Sequence, residues 1–529
     1  MPLPEHYFAV GRASDLRSPK DRRLYRFLEM LPGMLLWGTF ALAILLSWLQ
    51  PLWVAFFMMA FVIYWLLRTL YLSFHLWTGY RQMRENEKKD WIKELEKLSL
   101  KEYQIPVGSW KELLHLVVVP TYKEPLEFLR STFRSLKESS YPKDRMVVVL
   151  GIEQREGREA QKKADAIRRE FGQDFLKFLV AEHPDGIEGE IAGKGANESF
   201  AARAAKEAII DPMGIPLRNV IISSLDADTV VFPQYFSCLS WYYVTTSDPT
   251  RTSFQPIPLY LNNIFSSPPI SRVFAFSSTF WHTMNQQRPE KLVTFSSHAM
   301  SFEALVSVDF RSANVVNDDS HIFWQCFFKY EGNYKVQSLY YPVSMDANAA
   351  QSLRMTLGNI YRQHRRWAYG AGEVAYVLFG FLKTKAIPFS RKASLALELV
   401  ESHWSWATAP LLIFALGWLP LVLGGEVFSQ TLLSYNLPRF VSNILAVSML
   451  GLVGTGVLSM YLLPERKPSF GRMKAFWFVA QWVLLPLSMI FLMALPAIEA
   501  QTRWMLGRYL GFWVTPKERK EPIPSAGVL

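Results

Sequence analysis

Asn219 to Val231 read NVIISSLDADTVV. Val220, Ile221 and Ile222 are a continuous apolar run of the length and β-branched content of a strand buried on both faces of a parallel sheet. The run gives way to Asp226, Ala227 and Asp228 where such a strand meets its loop face, the side on which α/β sheets bind ligands. Two carboxylates separated by one residue on that turn can hold a hard divalent cation whose other positions are filled by phosphate oxygens and water. Taken alone, the triplet reads equally as a solvated acidic turn.

The same grammar repeats on either side. LHLVVVP, Leu114 to Pro120, predicts a strand running into Thr121, Tyr122, Lys123, Glu124 and Pro125. An amphipathic helix through Leu136 follows, then a strand from Met146 to Leu150 leading to Glu153, a helix from Ala160 to Phe171 and a strand from Phe175 to Val180. GKGAN, Gly193 to Asn197, opens the helix ESFAARAAKEAII, so Lys194 and the free N–H groups there can face an anion. Strands alternating with helices from Leu114 to about Pro342 predict a doubly wound α/β domain with a mainly parallel sheet.

This domain does not account for the whole composition. The chain has 529 residues, of which 50% are hydrophobic, 15% aromatic and 19% charged, too apolar for an ordinary soluble enzyme and too charged for a pure membrane bundle. The net charge of +11 clusters beside apolar segments, which fits membrane topology and anionic lipid, not a nucleic-acid partner. The two cysteines, Cys238 and Cys326, have neither disulfide nor zinc spacing and read as buried thiols. Arg12, Arg17, Lys20, Arg22, Arg23 and Arg26 place the N-terminal end in the cytosol. Met34–Leu49 and Leu52–Leu67 follow as a tight transmembrane hairpin of roughly 17 residues per span. Trp37, Trp48, Trp53, Trp65 and Trp77 are its interfacial anchors, and Arg68 closes the second span. Arg81 to Tyr103 then reads as cytosolic helix with Trp91, Ile92, Leu95 and Leu98 on one face.

The C-terminal third predicts two further spans, Trp404–Leu423 and Val441–Leu463, and a basic cytosolic loop, Pro464 to Lys474. Ala475 to Ile498 is hydrophobic enough to cross, but a single crossing would carry Arg503, Arg508 and Lys517 to the far side. We therefore expect a segment broken at Pro486 and Pro496 that lies along, or dips into, the cytosolic leaflet.

Three more stretches give the pattern a likeness. Val315 to Val336 (VVNDDSHIFWQCFFKYEGNYKV) carries Asn317, Asp318 and Asp319. NIYRQHRRWAYGAG carries Gln363, Arg366 and Trp367 at Q-x-x-R-W spacing. Phe512, Val514, Thr515 and Lys517 fit F-x-V-T-x-K. In this order, after the D-x-D turn, the motifs resemble those of the family 2 glycosyltransferases, the nucleotide-sugar enzymes that include cellulose, chitin and hyaluronan synthases. The resemblance runs over nearly the whole chain. It implies a GT-A-like domain inserted between transmembrane helices, and an inverting, processive transfer from a nucleotide sugar, a UDP-sugar first, to a growing β-linked polysaccharide. Within enzymes the alternative is a single-sugar transferase acting on a lipid carrier. Outside them it is a catalytically silent membrane scaffold or export component.

Residue by residue, the resemblance assigns the general base to Asp319, with Asp318 beside it on the acceptor side. Asn and Asp stand at 317 and 318 where the family has Thr and Glu, and Asp318 also suits a helix N-cap. Asp228 becomes the ligand of Mg2+ or Mn2+, and Asp226 the contact to nucleotide and donor sugar. Thr121, Tyr122, Glu124 and Glu153 surround base and ribose, Glu153 standing where aspartate is usual. Lys194 touches the diphosphate. Gln363 and Arg366 close the donor site, Trp367 stacks on the acceptor, and Phe512, Val514, Thr515 and Lys517 form a gating loop. The same helix also reads as a basic amphipathic segment on anionic lipid, with Arg362 and Arg365 facing the membrane.

The expected division is a cytosolic N-terminal segment (1–30), a transmembrane hairpin (31–78), a cytosolic helical linker (79–110), the glycosyltransferase domain (111–350) and interfacial helices with Q-x-x-R-W (351–390). Two transmembrane helices (391–463), a loop with an interfacial or re-entrant helix (464–511), and the gating loop and tail (512–529) complete it. The expected location is the plasma (inner) membrane, catalytic side in the cytosol, with a second copy or an export partner to complete a channel.

Overall fold

The computed structural model describes residues 7–414, 416–463 and 472–519. Its centre is an eight-stranded sheet in the order β3-β2-β1-β4-β7-β6-β8-β5. The strands are β1 (Leu114–Pro120), β2 (Met146–Glu153), β3 (Lys177–His183), β4 (Val220–Ser224), β5 (Val230–Val231), β6 (Thr252–Leu259), β7 (Ala299–Ser301) and β8 (Lys335–Ser344). Side chains alternate between its faces as a pleated strand requires. Val117, Val119, Val148 and Leu150 pack with Leu129, Phe133 and Ile167 of the two crossover helices. Leu116, Val118, Val147 and Val149 pack on the other face with Ala201, Ala202 and Ala205 and with Ile322 and Phe323. Helices Lys194–Ala205 and Asp318–Lys329 therefore share one face, each with its N-terminus near the C-terminal ends of the strands.

The sheet is mixed, which corrects the expectation of a mainly parallel one. Only β3, β2, β1 and β4 form the parallel half. β7 pairs antiparallel with both β4 and β6, and β5 antiparallel with β8, while β6 and β8 are parallel. The sheet also curls. β5 lies four strands from β4 in sheet order, about 19 Å if flat. Yet the chain joins them through a turn closed by the Thr229 N–H on the Asp226 carbonyl at 2.9 Å. The D-x-D turn thus sits inside the bend.

The hairpin helices are longer than predicted, Pro19–Leu49 and Pro51–Glu87. Both continue past the apolar stretch on the domain side, where polar residues cap and pair without interrupting helical hydrogen bonding. Their outward faces expose Leu42, Ile44, Trp48, Trp53, Phe56 and Phe57, an apolar surface of the kind lipid covers. Pro19–Leu49, Pro51–Glu87 and Ala475–Leu506 are each long and apolar enough to cross a membrane, by length and composition. The helices found where the two C-terminal spans were expected have different bounds, and neither is among these three. Phe389–Phe414 is followed by short turns at Leu416–Trp418 and Leu419–Leu423, where Gly417 and Pro420 interrupt it, and the next long helix is Leu432–Tyr461. The basic loop read at Pro464 to Lys474 lies mostly outside the described residues.

Arg472 to Leu506 is not broken at its prolines. Helical turns run through, tightening to 3-10 geometry at Gln481–Leu484 and widening to a π-turn at Met489–Ala494 ahead of Pro486 and Pro496. Such local adjustments absorb the N–H that proline lacks. The segment touches the sheet domain near its start and, further on, the helix Leu353–Ala368 and the hairpin helix Pro19–Leu49, whose Trp37 indole donates to Thr502 at 2.9 Å. Arg272 donates to Gln481 at 2.8 Å, Trp482 stacks on Phe280, Glu499 pairs with Arg365 at 2.7 Å, and the Trp504 indole donates to the Tyr369 carbonyl at 2.9 Å. The hairpin tip at Pro51 lies instead against Gly424.

Candidate active site

Five elements converge where β4 ends. Lys194, first residue of its helix, places its ammonium 2.6 Å from an Asp226 oxygen and 2.9 and 3.1 Å from the two oxygens of Asp319, 125 residues away in sequence. Asp318 and Asp319 open helix Asp318–Lys329, where the helix dipole favours acids. Gly195 allows that helix to approach, since a Cβ there would lie 2.7 Å from Cβ of Asp318. Arg311, buried, reaches Glu198 at 3.2 Å, Asp319 at 3.5 Å and Asp318 at 3.6 Å. Ser296 donates to Asp226 at 2.6 Å, and Thr294 to the Asp319 carbonyl at 2.6 Å.

The charges differentiate these four carboxyls. Burial pushes Asp319 up, but Lys194 and Arg311 outweigh it and hold the group down at about 2. Burial also opposes ionisation of Asp226, and Lys194 again prevails and lowers it. Burial and the neighbouring Asp319 push Asp318 up to about 6, and burial pushes Glu198 up to about 7. Two ionised carboxylates therefore line the mouth, with two more protonatable carboxyls beneath them. Oxygens of Glu198, Asp318 and Asp319 lie within 4.8 Å of one another. Lys194 and Arg311 already stand among them, so a metal ion there would meet two fixed cations.

Asp228 lies on the other arm of the turn and carries a cation from the C-terminal strap. Lys517 pairs with its Oδ2, which also accepts the Asp346 N–H at 3.2 Å. Arg519 engages the fully buried Asp346 through both oxygens, at 2.8 and 3.2 Å. The chemistry at Asp228 thus suits a cation: a carboxylate among buried groups, neutralised by an ammonium that a divalent ion could replace. Mg2+ or Mn2+ would reach the Asp228 carboxylate only by displacing Lys517.

The strap also roofs the pocket. Tyr509 donates to Glu29 at 2.9 Å, Asn359 to the Pro516 carbonyl at 3.2 Å, and the Glu518 N–H to the Ala349 carbonyl at 3.0 Å. Phe512 packs against Gly193, where a Cβ would come within 2.7 Å of its ring, and lies under the Arg366 guanidinium at 4.8 Å. Burial lowers Arg366, against the charges of Asp226, Asp318 and Asp319, and its Nε is buried without a hydrogen-bond partner among the described residues. Val514 is half-buried, and the Thr515 hydroxyl is buried without a partner among those residues.

Thr121, Tyr122, Glu124 and Glu153 form an adjoining wall at the ends of β1 and β2. Glu124 accepts from the Thr121 hydroxyl at 2.9 Å and the Tyr122 N–H at 2.6 Å. Arg155 pairs with the buried Glu153 at 3.1 Å and covers the Tyr122 ring at 3.9 Å. His183 reaches Glu153 at 3.4 Å and Glu190 at 3.0 Å. Gln363 accepts from Asn348 at 3.3 Å, outside the carboxylate cluster. Trp367 is half-buried, its ring edge-on to His364 and its carbonyl accepting from Asn317 at 3.3 Å.

Glu198, Ser296, Arg311, Asp346 and Arg519 were not singled out in sequence. Glu198 sits one turn after Lys194, a spacing at which an acid and a base meet on a helix. Arg311 is the cation shortly before Asn317–Asp319. Ser296, Asp346 and Arg519 belong to no motif and become visible only through tertiary contact.

No protein-family model and no curated protein matches the chain. Solved structures give a loose likeness. A mannosyltransferase, PcManGT from Pyrobaculum calidifontis, in complex with GDP-Man and Mn2+, has a TM-score of 0.38 at 14% identity, covering 81% of this chain and 99% of that one. S. aureus TarS 1-349 in complex with UDP-GlcNAc has a TM-score of 0.35 at 10% identity, covering 78% and 98%. Likeness at this level decides nothing about activity.

Proposed function

We propose that the chain is a membrane-embedded, inverting glycosyltransferase of the GT-A kind. It transfers a sugar from a nucleotide sugar, a UDP-sugar first, to a growing β-linked polysaccharide. The observation that carries this reading is the shared ammonium of Lys194. It brings Asp226 of the D-x-D turn and Asp319 of the N-D-D turn into one pocket that Arg366 and Phe512 roof.

In this reading the ionised Asp319 takes the proton of the acceptor hydroxyl as its oxygen bonds to the anomeric carbon, while the bond to the diphosphate breaks on the opposite face. A low-lying carboxylate is ready in its basic form at any physiological pH. Arg366 supplies fixed positive charge where the departing diphosphate gathers negative charge, while Lys194, bonded to Asp319, holds the base ionised. A divalent cation at Asp228, when bound, neutralises that diphosphate further. The wall of Thr121, Tyr122, Glu124 and Glu153 receives the nucleoside, and Trp367 offers the acceptor sugar a stacking face. Segment Arg472–Leu506 lies along the cytosolic face of the membrane, which keeps the strap on the pocket's side.

Membranes containing the chain, incubated with a panel of radiolabelled nucleotide sugars and Mg2+ or Mn2+, test the reading. A high-molecular-weight, glycosidase-sensitive product supports it, and a labelled lipid instead supports single transfer to a lipid carrier. If no donor releases nucleotide, the enzymatic reading is wrong and a scaffold remains.

A further inference from the structure

We propose that Glu373 is a positioning residue, which clamps the turn bearing Asp319 to the segment bearing Arg366 and Trp367. The inference rests on the reading of Asp319 as the base. Glu373 opens helix Glu373–Lys383, just after the Q-x-x-R-W helix Leu353–Ala368 and the turn Tyr369–Gly372. It is 9% exposed, and no lysine or arginine among the described residues pairs with it. A carboxyl buried without a cation is costly unless neutral donors satisfy it. Two do so here. The hydroxyl of Ser320, next to Asp319, donates to Oε1, and the Trp324 indole, one turn further along the same helix, donates to Oε2 at 3.2 Å.

A second bond acts on the other side of the catalytic pair. The Asn317 amide donates to the Trp367 carbonyl at 3.3 Å. Asp318 and Asp319 are thus bracketed by Asn317–Trp367 and Ser320–Glu373, two bonds to a single segment. The bracket fixes the distance between the base and the groups that roof the pocket, a distance on which transfer depends steeply. It also gives Asn317 a purpose, because its amide can donate a bond that reaches across to the neighbouring helix. Burial pushes Glu373 up to about 7, consistent with a carboxyl held only by uncharged donors.

The test compares Glu373→Gln, Glu373→Ala, Ser320→Ala and the Ser320→Ala/Glu373→Ala double variant of the full chain, with the donor that gives product in the panel above. Glu373→Ala lowers kcat about tenfold or more while donor KM stays within about twofold. Ser320→Ala moves kcat in the same direction, and the double variant loses no more than Glu373→Ala. Glu373→Gln recovers part of the rate, since its carbonyl still accepts from Ser320 while its amide nitrogen loses the bond from the Trp324 indole. Additive losses, or donor KM rising in step with the fall in kcat, would overturn the proposal. Hydrogen exchange separates this from failure of the enzymatic reading. Even if no donor is turned over, Ser320→Ala and Glu373→Ala speed exchange at 317–324 and 366–372 and leave β1 and β2 unchanged. Unaltered exchange there, in variants that fold, refutes the clamp.

Discussion

Replacing Lys194 by methionine keeps an unbranched side chain, one atom shorter, and removes its charge. In the folded protein the side chain is 13% exposed and its ammonium serves Asp226 at 2.6 Å and Asp319 at 2.9 Å. Its loss leaves two carboxylates facing one another. Breaking a buried pair in this way costs about 3–5 kcal/mol. Because Asp226 and Asp319 keep 27% and 25% exposure, water screens part of the loss and about 2–3 kcal/mol is expected. For a domain of this size that corresponds to about 5 °C or more in unfolding midpoint. The pH dependence gives the prediction its direction. Asp319 lies below its ordinary value when folded. Its contribution to stability is therefore fully present above the ordinary carboxylate range, and is lost as pH falls toward about 2. The deficit of Lys194→Met should be widest at neutral pH and should narrow as the medium is acidified below about pH 5. Tryptophan fluorescence during heating, on the purified chain in detergent across that range, measures it. A deficit that stays constant or widens on acidification would show that Lys194 does not neutralise these carboxylates.

Asp319→Asn should abolish turnover while leaving donor binding intact, checked by nucleotide release beside equilibrium binding of labelled donor; unchanged turnover removes Asp319 as base. Lys517→Ala frees the Asp228 oxygen and should tighten Mn2+ binding about tenfold in the absence of nucleotide, read by electron paramagnetic resonance, with equal affinity in both proteins counting against Asp228 as ligand. Gly195→Ala pushes a methyl against Asp318 and should lower kcat by about tenfold with little change in donor KM, an effect that wild-type kinetics in the variant would exclude.

What could be read from the sequence followed the range of the physics involved. β1, β2 and β4 were placed to within a few residues, because a strand buried on both faces writes itself as consecutive valine, isoleucine and leucine. β7 was not, since its three residues Ala299–Ser301 carry no period, and their antiparallel pairing is decided by partners far away. β6 and β8 contain Pro256, Pro258 and Pro342, which mask strand character. At the site, the acids and Lys194 stood at turns that local pattern picks out. Arg311, Asp346 and Arg519 did not, because a lone charge gives no sign in sequence of which distant carboxyl it will meet. The length of the hairpin helices was understated for a related reason: hydropathy marks where apolar character ends, whereas helical hydrogen bonding continues past it.

Lys517 and Arg519 complete charges laid down far earlier, at Asp228 and Asp346. During synthesis those two carboxyls leave the ribosome long before the cations that match them. A nascent chain stalled short of Lys517 would hold an open acidic cleft under no roof, and would take up the rigidity of the finished pocket only once Lys517 and Arg519 had been made.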